Sequence, residues 1–349
     1  MSNIKTEQIG KNQINKEKIG EFLLNYALYI ILGFMIIVVI AINPKFLSIS
    51  NFVKILTQAS TRGILALGVA GMIVLAGTDL SAGRILGCCA AVSASMMQAV
   101  TYASRMYPGI TKDLPLIVPL FVSIIIGVLF CLLNGFGVAK LKLHAFIVSL
   151  GTQLIAFGCT CIYIDSQEGG AQAISTFNEK FLNVVNGSFN IFGFKLPYLI
   201  IYFALAAVVV WVIWNKTTLG KNMFAMGGNM EAAAVSGVNI TKNIMGIYLV
   251  AGVLYGIAAF LEAGRIQSVN TGTGLNYDLD AISGCVIGGV SFAGGVGTIP
   301  GVIIGVVILQ VINYSLNFLG VNPYLQYIIK GLIIILAVSI DVRKYLAKK

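Results

Sequence analysis

The chain has 349 residues, 58% of them hydrophobic and only 10% charged, whereas soluble domains run about 45–50% apolar and about 25% charged. So little charge cannot cover a water-facing surface, which excludes a soluble globular protein. Unbroken apolar runs such as Tyr26 to Ile42 exclude a transmembrane β-barrel, whose strands alternate. The net charge of +10 is scattered over short loops and termini rather than gathered into a basic stripe, so nucleic acid is excluded as a partner.

About 202 apolar side chains suffice for ten crossings at ~20 residues each. In chain order the predicted spans are 24–42, 52–76, 85–103, 115–138, 144–164, 196–214, 244–263, 279–296, 298–319 and 324–340. The expected fold is an all-α, polytopic transmembrane bundle. Residues 1–23 form a polar N-terminal segment, 24–340 the transmembrane domain and 341–349 a short tail. The first 20 residues carry Lys5, Lys11, Lys16 and Lys18, and the apolar run after them lacks a small-residue cleavage site, so they read as a retained cytoplasmic end. With that end inside, 14 Lys and Arg fall on the inner side and 8 on the outer, which predicts that both termini are cytoplasmic.

Cys88, Cys89, Cys131, Cys159, Cys161 and Cys285 all lie in apolar runs without metal-ligand or disulfide spacing, and His144 is the single histidine. No metal site and no cofactor is expected. Gly71, Gly77, Gly83 and Gly87 recur as Gly289, Gly295, Gly301 and Gly305 at one offset of 218 residues, the mark of an internal duplication. Six intervening spans would make the two copies point the same way. Glycine pairs four apart, such as Gly83 with Gly87 and Gly252 with Gly256, predict close helix–helix approach.

The predicted inner loop, 215–243, is the most informative segment. Asn229 suits an N-cap, Glu231 the first turn, Ala232, Ala233 and Ala234 the helix body, and Gly237 its stop. A helix of about eight residues is marginal alone in water. It must rest against its own membrane domain or against a partner. Its small side chains, Ser236 among them, would let a partner's groove come near the backbone.

TTLGKNMFAMGGNMEAAAVSGVN, from Thr217 to Asn239, resembles the coupling loop of the sugar permeases of ATP-binding cassette importers, ribose and galactose branch. GTDLSAGR at Gly77–Arg84, FIVSLGT at Phe146–Thr152 and LDAISGCVIGGVSFAGGVGTIPG at Leu279–Gly301 are similar to further motifs of that family. Within the branch, GTDLSAGR, LEAGRIQS at Leu261–Ser268 and LGVNPYLQYIIKG at Leu319–Gly331 most resemble permeases for galactose and methyl galactosides. The resemblance implies a bacterial inner-membrane subunit that pairs with a second copy of itself. It also implies a separate ATPase subunit and an extracytoplasmic sugar-binding protein. Thr218, Gly220, Gly228, Asn229, Glu231, Ala232, Ala233, Ser236 and Gly237 would form the coupling surface. The chain is then not an enzyme, and it carries no G-x-x-x-x-G-K-[ST] nucleotide loop.

The spans offer Gln98, Asn134, Gln153, Gln310, Asn313 and Tyr314 as groups able to face a sugar, although polar residues in membrane helices mostly bond to neighbouring helices. Asp79, Ser81, Gly83, Glu262, Gly295 and Gly301 are expected to shape or gate the bundle. Asp79 with Arg84 and Glu262 with Arg265 read as local ion pairs or helix-end caps. An ion-coupled secondary sugar transporter is the alternative, and it would need ionisable residues at mid-membrane. A scaffold using its packed glycines is a third reading.

Overall fold

Apolar runs bounded by capping residues form most of the predicted helices. The computed structural model describes residues 33, 36–168, 170, 172–191 and 194–346. Most of the first predicted span, the polar N-terminal segment and the last residues of the tail lie outside them. The described residues form two units, one of Ile49–Gln310 and one of the residues up to Ser48 with those from Val311 onward.

In the larger unit the helices are Ile49–Val74 (α1), Ala82–Met96 (α2), Ile117–Ala139 (α3), Ala145–Asp165 (α4), Glu179–Asn186 (α5), Tyr198–Lys216 (α6), Thr218–Gly228 (α7), Met230–Val235 (α8), Ile240–Ile266 (α9) and Tyr277–Ile287 (α10). Helix α11, Ile299–Phe318, runs on into the second unit, which also holds Pro323–Leu346 (α12). Five of these, α3, α4, α6, α9 and α11, are long and apolar enough to cross a membrane. Helix α1 has the length, at 26 residues, but carries Lys54 and Arg62. On α3 the exposed row Ile117, Phe121, Ile125, Leu129 and Leu133 repeats every fourth residue, an apolar stripe along one face.

Two predicted spans are corrected. The span 85–103 ends as helix at Met96, where Gln98 turns out to pair with Phe177. The span 279–296 is helical only over Tyr277–Ile287, and 11 residues rise only ~16 Å against a ~30 Å hydrocarbon core. Glycines at 288, 289, 294 and 295 turn the chain back before α11 begins.

Helix α9 is the centre of the larger unit and is buried over most of its length. Gly252 and Gly256 lay its backbone against α3: a Cβ on either would stand 2.6 Å or 2.4 Å from the Cα atoms of Val128 and Ile124. Such contact yields dispersion and Cα–H···O attraction that only glycine permits at this distance. Small two-stranded pairings finish the opposite end. Ile174–Ser175 (β1) pairs antiparallel with Ser268–Val269 (β4), and Ser188–Ile191 (β2) with Phe194–Pro197 (β3).

The predicted duplication has a structural counterpart. Each copy is a helix, a glycine turn and a second helix: α1 to α2 through residues 75–81, and α10 to α11 through residues 288–298. Arg62 on α1 meets Asp280 on α10, and four residues further on the Ala66 carbonyl accepts from the Cys285 thiol. Contacts that advance together along both helices mean that α1 and α10 run parallel. In the second unit Phe46 packs its ring on Tyr314 and Phe318, with centroids 6.3 Å and 5.4 Å apart.

Candidate functional site

The α7–α8 corner projects a compact surface at one end of the larger unit. Thr217 caps α7 by accepting from the Gly220 N–H, and Asn229 caps α8 by accepting from the Ala232 N–H at 2.9 Å. Gly237 ends α8 with a backbone φ of +86°, a conformation that glycine adopts without the Cβ penalty. Helix α7 was not foreseen: TLGKNMFAMGG reads as loop by its glycines. Its packing explains it, because a Cβ on Gly220 would lie 2.2 Å from the Trp214 carbonyl oxygen, and Phe224 stands edge-on to Trp214 at 5.4 Å.

Of the residues expected to couple, Ala233 is buried and anchors α8, while Gly228, Asn229, Glu231, Ala232, Ser236 and Gly237 are exposed. Met230 is 42% exposed and Val235 91%. An almost fully bared valine on a polar corner has a transfer free energy of about 1.5–3 kcal/mol still to gain from a covering surface. Beside it lies a groove of about 580 Å³ lined by Thr218, Asn222, Ser236, Asn239, Lys242 and Asn243. Asn222 ties α7 to α9 through Asn243 at 3.1 Å.

The first repeat turn is held by a buried carboxylate. Asp79 accepts from the backbone N–H and hydroxyl of Ser81, from the Tyr255 hydroxyl at 3.0 Å and from Asn134 Nδ2 at 3.5 Å. Asn134 also donates to Ser81 Oγ at 2.9 Å. The expected Asp79–Arg84 pair does not form. Arg84 instead donates to the Thr271 carbonyl at 3.0 Å and lies 4.3 Å over the Phe157 ring, because α2 points its first turn at residues 271–278. A Cβ on Gly83 would lie 2.3 Å from the Gly274 carbonyl oxygen.

A second polar cluster joins α1, α9 and α10. Glu262 accepts two bonds of 2.6 Å from Arg265, as the i, i+3 spacing predicted, and bonds of 2.7 Å from Thr61 and Tyr277. Arg62 pairs with Asp280 at 2.7 Å, reaches Gln310 at 3.4 Å, and lies 4.4 Å over the Tyr277 ring. Four donated bonds to the buried Glu262 carboxylate are what makes its burial tolerable, whereas Arg62 Nε and Gln310 Nε2 are buried without a hydrogen-bond partner among the described residues. Arg62, Tyr277 and Asp280 were missed in the sequence. The signal that could have found the ion pair is its separation of 218 residues, the repeat offset itself.

The candidate sugar-facing residues of the larger unit have separate surroundings. Asn134 belongs to the Asp79 cluster and Gln310 to the Arg62 cluster. Gln98 is spent on loops, donating to the Ser175 carbonyl and accepting from the Met106 N–H. Gln153 is half-buried on α4, and Asn313 and Tyr314 lie in the second unit. Gly295 stacks on Gly228, and Gly301 on the Gly288 carbonyl. Among the described residues no group of three His, Cys, Asp or Glu could hold a metal ion.

A profile of the family described as branched-chain amino acid transport system, permease component, matches residues 51–338. The galactose/methyl galactoside import permease protein MglC of Haemophilus influenzae is 48% identical over 336 residues, covering 96% of this chain and 99% of that protein. Its namesake from Escherichia coli K12 is 46% identical with the same coverage. The ribose import permease protein RbsC of Bacillus subtilis is 33% identical over 351 residues, covering 98% and 99%. No solved structure matches the chain.

Proposed function

We propose that this chain, which belongs to the transport-system permease family whose profile spans residues 51–338, carries galactose and methyl galactosides into the cell. It is a multi-pass membrane permease subunit of an ATP-binding cassette importer and not itself an enzyme. ATP hydrolysis belongs to a partner subunit, and a binding protein delivers the sugar. An ion-gradient engine, the alternative the sequence left open, is the plan of a different class of transporter.

The observation that carries the choice of sugar is full-length identity of 46–48% to galactose/methyl galactoside permeases against 33–34% to ribose permeases. The α7–α8 corner is the ATPase docking surface in this reading and so faces the cytoplasm, as both termini do by the excess of Lys and Arg on the inner side. The loops around β1 to β4 face outward and receive the binding protein. Two copies of the chain supply the two corners that a pair of ATPase subunits needs, and the exposed stripe of α3 meets lipid.

The test is uptake of labelled galactose into vesicles holding this chain, its ATPase and its binding protein. Excess unlabelled methyl galactoside is expected to suppress the signal and excess ribose to leave it standing. Suppression by ribose alone would assign the chain to a different sugar.

A further inference from the structure

At the end of α7 the corner touches the rest of the larger unit through bare backbone. A Cβ added to Gly227 would lie 1.9 Å from the Val74 carbonyl oxygen and 2.6 Å from the Gly295 nitrogen. One added to Gly294, whose φ is +84°, would lie 2.5 Å from the Gly227 carbonyl oxygen and 3.0 Å from the Ala76 Cβ. The Gly295 N–H donates to the Val74 carbonyl at 2.8 Å. Three segments therefore meet with hardly a side chain between them: the end of α7, the turn after α1 and the turn after α10. The last two are the turns of the two repeat copies.

Flexible side chains at such a meeting point would absorb a displacement by changing rotamer. Packed backbones have no rotamers to change, and they pass the displacement on. We infer that this junction is the rigid link by which movement of the α7–α8 corner reaches both repeat turns at once, with Gly227 as its positioning residue. The inference rests on the reading of that corner as the ATPase docking surface. Beyond the junction the first turn is tied through Asp79 and Ser81 to Asn134 on α3 and Tyr255 on α9. The second turn leads through Thr298, which accepts from the Gly301 N–H at 3.2 Å, into α11. One push thus addresses both repeats.

The test uses the complete importer in vesicles, with ATP hydrolysis and galactose uptake measured side by side. Gly227→Ala wedges the contact: the complex is expected to assemble and hydrolyse ATP, while sugar imported per ATP falls about tenfold, the size of an ordinary coupling free energy between two sites. Gly158→Ala on α4, where a Cβ meets nothing within 4 Å, is the control and should keep the wild-type ratio. Should Gly227→Ala fail to assemble, spin labels on the exposed pair Ala225→Cys and Ala293→Cys decide instead. Their separation is expected to stay fixed when ATP binds, because parts that move as one keep their distance. An assembled Gly227→Ala complex with wild-type sugar per ATP would overturn the inference. So would a label separation that changes when ATP binds. Absence of ATP-driven uptake in the wild-type complex would instead overturn the docking reading beneath it.

Discussion

Replacing Glu262 by glutamine isolates the energetics of the polar cluster. The carboxylate is fully buried and accepts four bonds, two of them from Arg265, whose side chain is 17% exposed. The amide keeps the shape but removes the charge and turns one acceptor into a donor facing Arg265. Breaking a buried pair from one side costs about 3–5 kcal/mol, because the remaining charge stays buried without compensation. Arg62, paired with Asp280 nearby, adds a second cation to the same pocket and pushes the loss toward the upper figure. Unfolding of the detergent-solubilised protein by increasing denaturing detergent reads the change. Glu262→Gln with Arg265→Gln is expected to recover at least half of it, since losing both partners leaves no stranded charge. A single variant that loses under about 1 kcal/mol, the range of exposed ion pairs, would show that the cluster is hydrated, and the reasoning would fail.

Val235→Asp should leave the unfolding midpoint unchanged, because the side chain is 91% exposed, yet lower recovery of the ATPase in co-purification about tenfold or more as a charge enters the interface core; unchanged recovery would move the docking surface elsewhere. Gly252→Leu should abolish folded protein on size exclusion, since even its Cβ would lie 2.6 Å from Val128 Cα, whereas Gly151→Leu, with open space around it, should elute normally. Tyr255→Phe strips one donor from Asp79 and should cost about 1–3 kcal/mol in the same unfolding assay; a stabilised protein would mean that the Asp79 cluster carries a strain the geometry does not reveal.

Hydropathy located α3, α4, α6, α9 and α11 because each is a single apolar run with clear ends. It overran at α10, where Cys285–Val296 stays apolar through a turn, and composition alone does not separate a glycine-rich turn from a span. The density of glycine at 288, 289, 294 and 295 was the available sign. The cap at Asn229 and the stop at Gly237 were legible because both act within three or four residues. Of the two readings of Asp79, the pair with Arg84 fails and the bond from the Ser81 N–H at the start of α2 is the local one, while Tyr255 lies 176 residues away and is delivered by helix packing. The Gly227 junction was hidden likewise, since three separate turns have to be folded before their backbones meet.

In the proposed reading this chain supplies the passage and a partner supplies the energy through the α7–α8 corner. Labelled galactose uptake into vesicles, with the binding protein present and the ATPase either included or omitted, tests that division of labour. Accumulation should require both the ATPase and ATP, and should survive collapse of proton and sodium gradients. Uphill accumulation by this chain alone, driven by either gradient, would contradict it.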